Sequence, residues 1–328
     1  MDQPRFVIEA AEAESMAQSL ALPSVRHLLP ALVRPAQALA RPPISNYHVA
    51  AVGLGSDGRV FVGVNLEFPG LPLHHSVHAE QFLVTSLKAH GCPRLLALAV
   101  SAAPCGHCRQ FFQELRNSSA IQILVTSQNK QISDVTFKPL SQFLPNQFGP
   151  YDLLDDQTPL LLEPHHNALS LTPIISDDNR ENHQNLSNCN GFSENDHHNL
   201  CNGFSNNSAL LKAAAMEAAN ESHAPYTNCP SGMALMDCEG KVYKGSYAES
   251  AAYNPTLGPF QAALIAFVAG GGGGYDQIVA AALVEKEEAK VKQEDTARLL
   301  LKAVSPKCEL KVFHCSSSTA NFCKKAPN

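Results

Sequence analysis

The sequence predicts an α/β fold laid down twice along one chain, with a complete first copy and a degenerate second copy. Three observations carry this. Short apolar strands alternate with helix-length segments between residues 36 and 150, which is the pattern of a layered α/β domain. A globular pattern returns after residue 209, and sliding the chain by 182 positions lays 43–67 on 225–249. Six of those 25 positions are then identical: Pro43/Pro225, Asn46/Asn228, Gly58/Gly240, Val60/Val242, Gly63/Gly245 and Glu67/Glu249. Their order matters more than their number, because G-R-V-F-V-G becomes G-K-V-Y-K-G on the same predicted hairpin, the mark of an internal repeat.

Composition sets the limits. The chain has 328 residues, of which 45% are hydrophobic and 16% charged, enough for two domains with sizeable cores. A net charge of -6 with His neutral speaks against long nucleic acid as a partner, since phosphate binding needs a basic face. No apolar run reaches the length of a membrane span. Glu9, Glu12 and Glu14 near the start argue against a secretory signal or transit peptide. Ten cysteines without regular spacing read as reduced thiols, which places the protein in the cytosol.

The elements follow in order. Residues 1–35 read as a helical lead with Leu28, Leu29 and Leu32 on one face. Strands at Val49–Leu54 and Val60–Val64 flank Ser56-Asp57-Gly58, a hairpin signal. A helix from about Val77 to Lys88 precedes a strand at Leu95–Val100, a helix from about Gly106 to Leu115 and a strand at Ile121–Val125. The first copy so drawn spans 36–163. Residues 164–208 hold eleven Asn and five His, and N-L-S-N-C-N-G-F-S at 185–193 is echoed by N-L-C-N-G-F-S at 199–205. This stretch reads as a flexible linker; metal binding by His183, His197 and His198 lacks a fixed ligand geometry. Residues 209–328 form the degenerate copy.

The chemistry lies in the first copy. His78-Ala79-Glu80 is followed by Pro104-Cys105-Gly106-His107-Cys108. Cys105 and Cys108 open a predicted helix, where the thiolate form is favoured and two sulfurs can face one ion. His78 opens the other helix and supplies a nitrogen. Three protein ligands on tetrahedral zinc leave a fourth position for water, the arrangement of a catalytic rather than a structural site. Glu80 is not needed as a ligand and is placed to move a proton. His107 is an alternative ligand to His78, disfavoured because neighbouring helical residues point apart. His74 and His75 read as loop residues. A lone C-x-x-C could instead be a redox pair or half of a structural zinc site; the joint pattern selects the catalytic reading. This H-x-E with P-C-x-x-C arrangement resembles the signature of zinc deaminases.

Together with I-S-N-Y at 44–47, V-N-L-E-F-P-G at 64–70, V-H-A-E-Q at 77–81, A-P-C-G-H-C-R-Q-F at 103–111 and N-P-T-L at 254–257, the chain resembles the two-domain, homodimeric zinc cytidine deaminases of bacteria and plants. The resemblance implies a three-layer α-β-α sandwich, duplicated, with one Zn²⁺ per chain. It implies hydrolytic deamination of cytidine and deoxycytidine, with Glu80 shuttling the proton. It further implies that Asn65 and Glu67 bind the ribose hydroxyl and that Tyr47 stacks on the pyrimidine. The Ala79 backbone would hold the base oxygen and the Ala103 carbonyl would face the leaving amine. Phe148 and Ala252 would reach the partner's active site. In the second copy the repeat places Pro259 and Gln261 opposite His78 and Glu80, so that half cannot do the chemistry. Two rival readings are a deaminase acting on polynucleotides and a catalytically degenerate zinc-binding dimer partner. The acidic balance speaks against the first, and the intact Glu80 and ligand set against the second.

Overall fold

The computed structural model describes residues 5–126, 136–172 and 194–317. The first copy is a six-stranded sheet. β1 (Val7–Ile8) pairs with β3 (Val60–Val64), and β2 (Ala50–Gly55) closes the expected hairpin with Ala50 opposite Val64 and Leu54 opposite Val60. β4 (Leu95–Val100) runs antiparallel to β2, β5 (Gln122–Val125) parallel to β4, and β6 (Lys138–Pro139) antiparallel to β5. The order is β1-β3-β2-β4-β5-β6.

α1 (Ala10–Ser19) and α2 (Val25–Gln37) form the helical lead. Leu28 and Leu29 are fully buried and Leu32 partly, as the shared face predicts. The lead is not a separate piece, however. α2 packs on β2, β3 and β4, β1 belongs to the sheet, and Phe6 stacks on Phe82 with ring centroids 5.2 Å apart. α3 (Ala79–Ala89) buries Phe82, Leu83, Val84 and Leu87, because it packs against β3 on one side and the second copy's helix on the other. Gly63 admits this approach: a Cβ there would stand 2.1 Å from Ala79 O. α4 (Gly106–Phe111) is shorter than expected and tightens into a 3-10 turn over Phe112–Glu114; α5 (Leu140–Phe143) follows β6.

The second copy repeats the plan. β7 (Leu169–Leu171), α6 (Glu194–Asn220), β8 (Ser231–Asp237), β9 (Val242–Ser246), α7 (Pro259–Ala269), β10 (Ile278–Lys286), α8 (Glu294–Val304) and β11 (Glu309–Ser317) give a sheet of order β7-β11-β10-β8-β9. β10 and β11 are its parallel pair, as β4 and β5 are in the first. The α/β class and the duplication therefore hold. The stretch expected to be a linker contributes β7 and the start of α6, because Leu169 and Leu171 pack under α6 against β11. Residues 173–193, His183 included, lie outside the described residues, and His197 and His198 fall on α6.

The structure corrects one detail of the repeat. The slide holds through Glu67/Glu249, since Arg41 O accepts from Glu67 N as His223 O accepts from Glu249 N. Beyond it, Leu66 pairs with Val77 but Ala248 with Leu257, a loop two residues shorter. The N-cap His78 is thus matched by the N-cap Gly258, and Glu80 by Phe260, not by Pro259 and Gln261. The conclusion stands on different residues: glycine has no ligand atom and phenylalanine no base. Among the described residues no helix is long and apolar enough to cross a membrane.

Candidate metal centre

His78 caps the N-terminus of α3 and Cys105 that of α4, with Cys108 one turn on. The two helices are in contact, which brings their first residues together. Cys105 Sγ lies 3.5 Å from His78 Nδ1 and 3.7 Å from Cys108 Sγ, and Cys108 Sγ lies 3.3 Å from His78 Nδ1. A tetrahedral zinc with ordinary Zn–S and Zn–N bonds needs edges of about 3.8 Å between sulfurs and about 3.6 Å from sulfur to nitrogen. The three atoms already form such a face, so the residues fit the ion. They are the one His/Cys/Asp/Glu group of that closeness among the described residues. His107 is outside it; its ring stacks on His78 at 5.2 Å and 24°, which fixes the imidazole plane. His74 and His75 sit on a 3-10 turn.

The electrostatics agree. Cys105 is pulled down to about 3, first by the Cys108 hydrogen bond and then by His78, and thiolate is the form that binds metal. Cys108, in the same hydrogen bond and buried, moves the other way; a bound metal would take the place of its proton. Glu80 is 4% exposed, and burial raises its pKa above the usual carboxylate range. It stands one residue inside α3, beside the group and outside the ligand set.

A cavity of about 250 Å³ opens beside Glu80, lined by Tyr47, Asn65, Glu67, His78 and Ala79 among others. Ala79 N–H is one of the first-turn donors that a helix leaves without an internal partner. Asn65 and Glu67 also build the wall. Asn65 accepts from Val49 N and donates to Tyr47 O; Glu67 accepts from Ile44 N, Ser45 N and Ser45 Oγ. Burial works to raise Glu67, but the bonds from Ser45 and Ile44 outweigh it and hold the carboxyl below its ordinary value. Ala103, two residues before Cys105, is exposed. Phe148 and Ala252 do not line this cavity: Phe148 is exposed with its carbonyl held by Gln110, and Ala252 lies in the loop after β9.

The second copy keeps the loop and loses the pocket. Glu249 accepts from Tyr226 N, Thr227 N and Thr227 Oγ1 in the manner of Glu67. Tyr247 occupies the Asn65 position and is buried, Phe260 the Glu80 position, and Gln293 the N-cap position of Cys105.

Three residues escaped the sequence reading. Gln81 donates to Pro255 O at 3.0 Å, joining the residue after Glu80 to the N-P-T-L loop of the second copy. Arg109 donates to Pro104 O at 2.6 Å and Phe143 O at 3.0 Å, bracing the segment before Cys105. Glu114, fully buried, accepts from Ala251 N and Tyr226 OH, each at 2.7 Å, and lies 3.1 Å from His223 Nε2. Gln81 and Arg109 stood within quoted motifs; no local signal marked Glu114.

Comparison with known proteins agrees with this geometry. The family description "Cytidine and deoxycytidylate deaminase zinc-binding region" matches residues 26–124 and, in a second form, residues 140–298. Cytidine deaminase 1 of Arabidopsis thaliana is 55% identical over 96% of this chain and 99% of its own length. Cytidine deaminase 6 of the same plant is 46% identical over 89% of this chain and 93% of its own. The solved cytidine deaminase of Mycobacterium tuberculosis is 32% identical, covers 38% of this chain and 96% of its own, and gives a TM-score of 0.32.

Proposed function

The chain belongs to the family of zinc-binding cytidine deaminases, and from that premise we propose that it converts cytidine and deoxycytidine to uridine and deoxyuridine with release of ammonia, serving pyrimidine salvage. The observation that carries this is a buried, non-ligating carboxylate, Glu80, beside a His-Cys-Cys group and a small cavity walled by Asn65 and Glu67. Zinc held by His78, Cys105 and Cys108 supplies the Lewis acidity that makes a water nucleophilic at neutral pH. Glu80 takes one proton from water and delivers it to ring N3 as the oxygen adds to the amine-bearing carbon. It then carries the second proton, from the new hydroxyl, to the amine, whose bond to that carbon breaks to release ammonia. Its raised affinity for a proton suits a group that must hold one between transfers. Ala79 N–H donates to the base carbonyl oxygen, the Ala103 carbonyl accepts from the amine, and Tyr47 stacks on the ring. Asn65 and Glu67 accept from the ribose hydroxyl with lone pairs their loop bonds leave over.

The assembly in this reading is a homodimer in which Phe148 and Ala252 reach the other protomer's pocket. What supports it is exposed apolar surface: Tyr47, Leu73, Phe148 and Tyr253 are large side chains open to solvent. The test is steady-state turnover on a panel. Cytidine and deoxycytidine are expected to be good substrates, with free cytosine and the 5′-monophosphate poor, because Glu67 is ionised and would repel phosphate. Equal kcat/KM for cytosine and cytidine would sink the sugar contacts, and activity on single-stranded DNA or RNA but not on nucleosides would sink the substrate class.

A further inference from the structure

The N-P-T-L segment belongs to a short loop of the second copy, between Ala248 and Leu257, which pair with each other. The loop closes on itself. Ser250 N donates to Thr256 Oγ1 at 3.1 Å, Tyr253 N to Ser250 O at 2.9 Å and Thr256 N to Tyr253 O at 2.9 Å. Cross-bonded in this way, residues 250–256 form one piece.

Two residues of that piece, Ala251 and Pro255, are buried and reach two different helices of the first copy. Pro255 O accepts from Gln81 Nε2 at 3.0 Å, in the first turn of α3. Ala251 N donates to Glu114 Oε1 at 2.7 Å, on the 3-10 turn that continues α4. Gln81 and Glu114 are themselves sealed from solvent. α3 begins at His78, and α4 begins at Cys105 and carries Cys108. Gln81 also accepts from His78 N at 3.4 Å through Oε1. One loop of the copy without the chemistry therefore grips both helices that bring the ligands together.

The grip runs one way. α3 and α7 match residue for residue from their N-caps, so Gln261 is the counterpart of Gln81, and Gln261 Oε1 has no partner. Lys302, as far past the α8 N-cap as Glu114 is past Cys105, is exposed. A relic of the duplication would recur in both copies; these contacts exist only where there are ligands to hold. Three ligands on two helices close on one ion only while the helices keep their separation, and the groups behind the ligands set how well they do.

We propose that Gln81 and Glu114 are positioning residues for the metal centre: through loop 250–256 the second copy clamps α3 to α4 and keeps His78, Cys105 and Cys108 at ligand spacing. The clamp rests on the metal-centre reading of the site and not on the nucleoside substrate.

The test is loss of zinc from the loaded full chain to an excess of the chelating dye pyridylazoresorcinol, well below Tm and with no nucleoside present. Gln81→Met, similar in size, should release zinc about 10- to 100-fold faster than wild type. Glu114→Leu should do the same. Glu114→Gln, whose amide oxygen still accepts from Ala251 N, should hold zinc as wild type does. Cutting either leg opens the clamp, so the double variant Gln81→Met/Glu114→Leu should release zinc no faster than the faster single variant. Arg41→Met is the control. Arg41 bridges the copies elsewhere, donating to Gly273 O and Gly272 O at 2.7 Å each, so its loss should lower Tm and leave zinc release unchanged. Wild-type release in Gln81→Met, equally fast release in Arg41→Met, or multiplying effects in the double variant would overturn the proposal. Should Glu114→Leu not fold, the comparison of Gln81→Met with Arg41→Met decides alone. Turnover is not read, so the substrate reading and the clamp fail separately.

Discussion

A single methyl group added at Gly63 separates what the shared scaffold does from what the metal centre needs. An ideal Cβ at Gly63 would stand 2.1 Å from Ala79 O and 2.5 Å from Leu83 N, both backbone atoms of α3. A tolerable contact needs 3 Å or more, so the start of α3 must retreat by roughly 1 Å, taking His78 and Glu80 with it. Gly245 is the same place in the second copy, with a Cβ 2.1 Å from Ala263 N and 2.4 Å from Pro259 O of α7. Overpacking of this kind costs about 1–3 kcal/mol, or roughly 2–4 °C of Tm per kcal/mol in a domain of ordinary size. A displacement of about 1 Å at reacting groups can lower turnover about 100-fold. Gly63→Ala and Gly245→Ala should therefore lose similar Tm by calorimetry. Well below both transitions, kcat for cytidine should fall about 100-fold in Gly63→Ala and only a few-fold in Gly245→Ala. Wild-type Tm and kcat in Gly63→Ala would refute the steric argument. Equal loss of kcat in both variants would refute the assignment of the chemistry to α3 alone.

Glu80→Gln should keep one zinc per chain by metal analysis and an unchanged Tm while losing about two to four orders of magnitude in kcat. Loss of the metal instead would make Glu80 a ligand. The Glu114 cluster between the copies should shape the acid limb of stability. Burial and the field of Lys88 depress His223 to about 3 and His165 to about 4, so their stabilisation, present above 6.5, is lost as pH falls toward those values. Glu114 is raised by burial to about 7 from 4.5, so its term is full below 4.5 and lost as pH rises through 7; on acidification it offsets the histidines. Glu114→Gln should then steepen the fall of Tm between pH 6.5 and 4.5, and parallel profiles for variant and wild type would show that Glu114 does not titrate there.

Much of this protein is legible in the sequence because its signals are local. Continuous apolar runs and a Gly58 turn write the hairpin, and a ligand spacing at two helix starts writes the metal centre. The repeat was visible because Gly58, Gly63 and Glu67 each meet a backbone requirement that recurs at Gly240, Gly245 and Glu249. Only the tertiary structure decided the rest. A two-residue difference in loop length, invisible to a fixed slide, moved the counterparts of His78 and Glu80 to Gly258 and Phe260. The fates of Gln81 and Glu114 depend on atoms more than a hundred residues away: Pro255 O and Ala251 N. Composition reports that a side chain is polar. Whether it meets water or a partner is set by packing between the two copies, which no local pattern records.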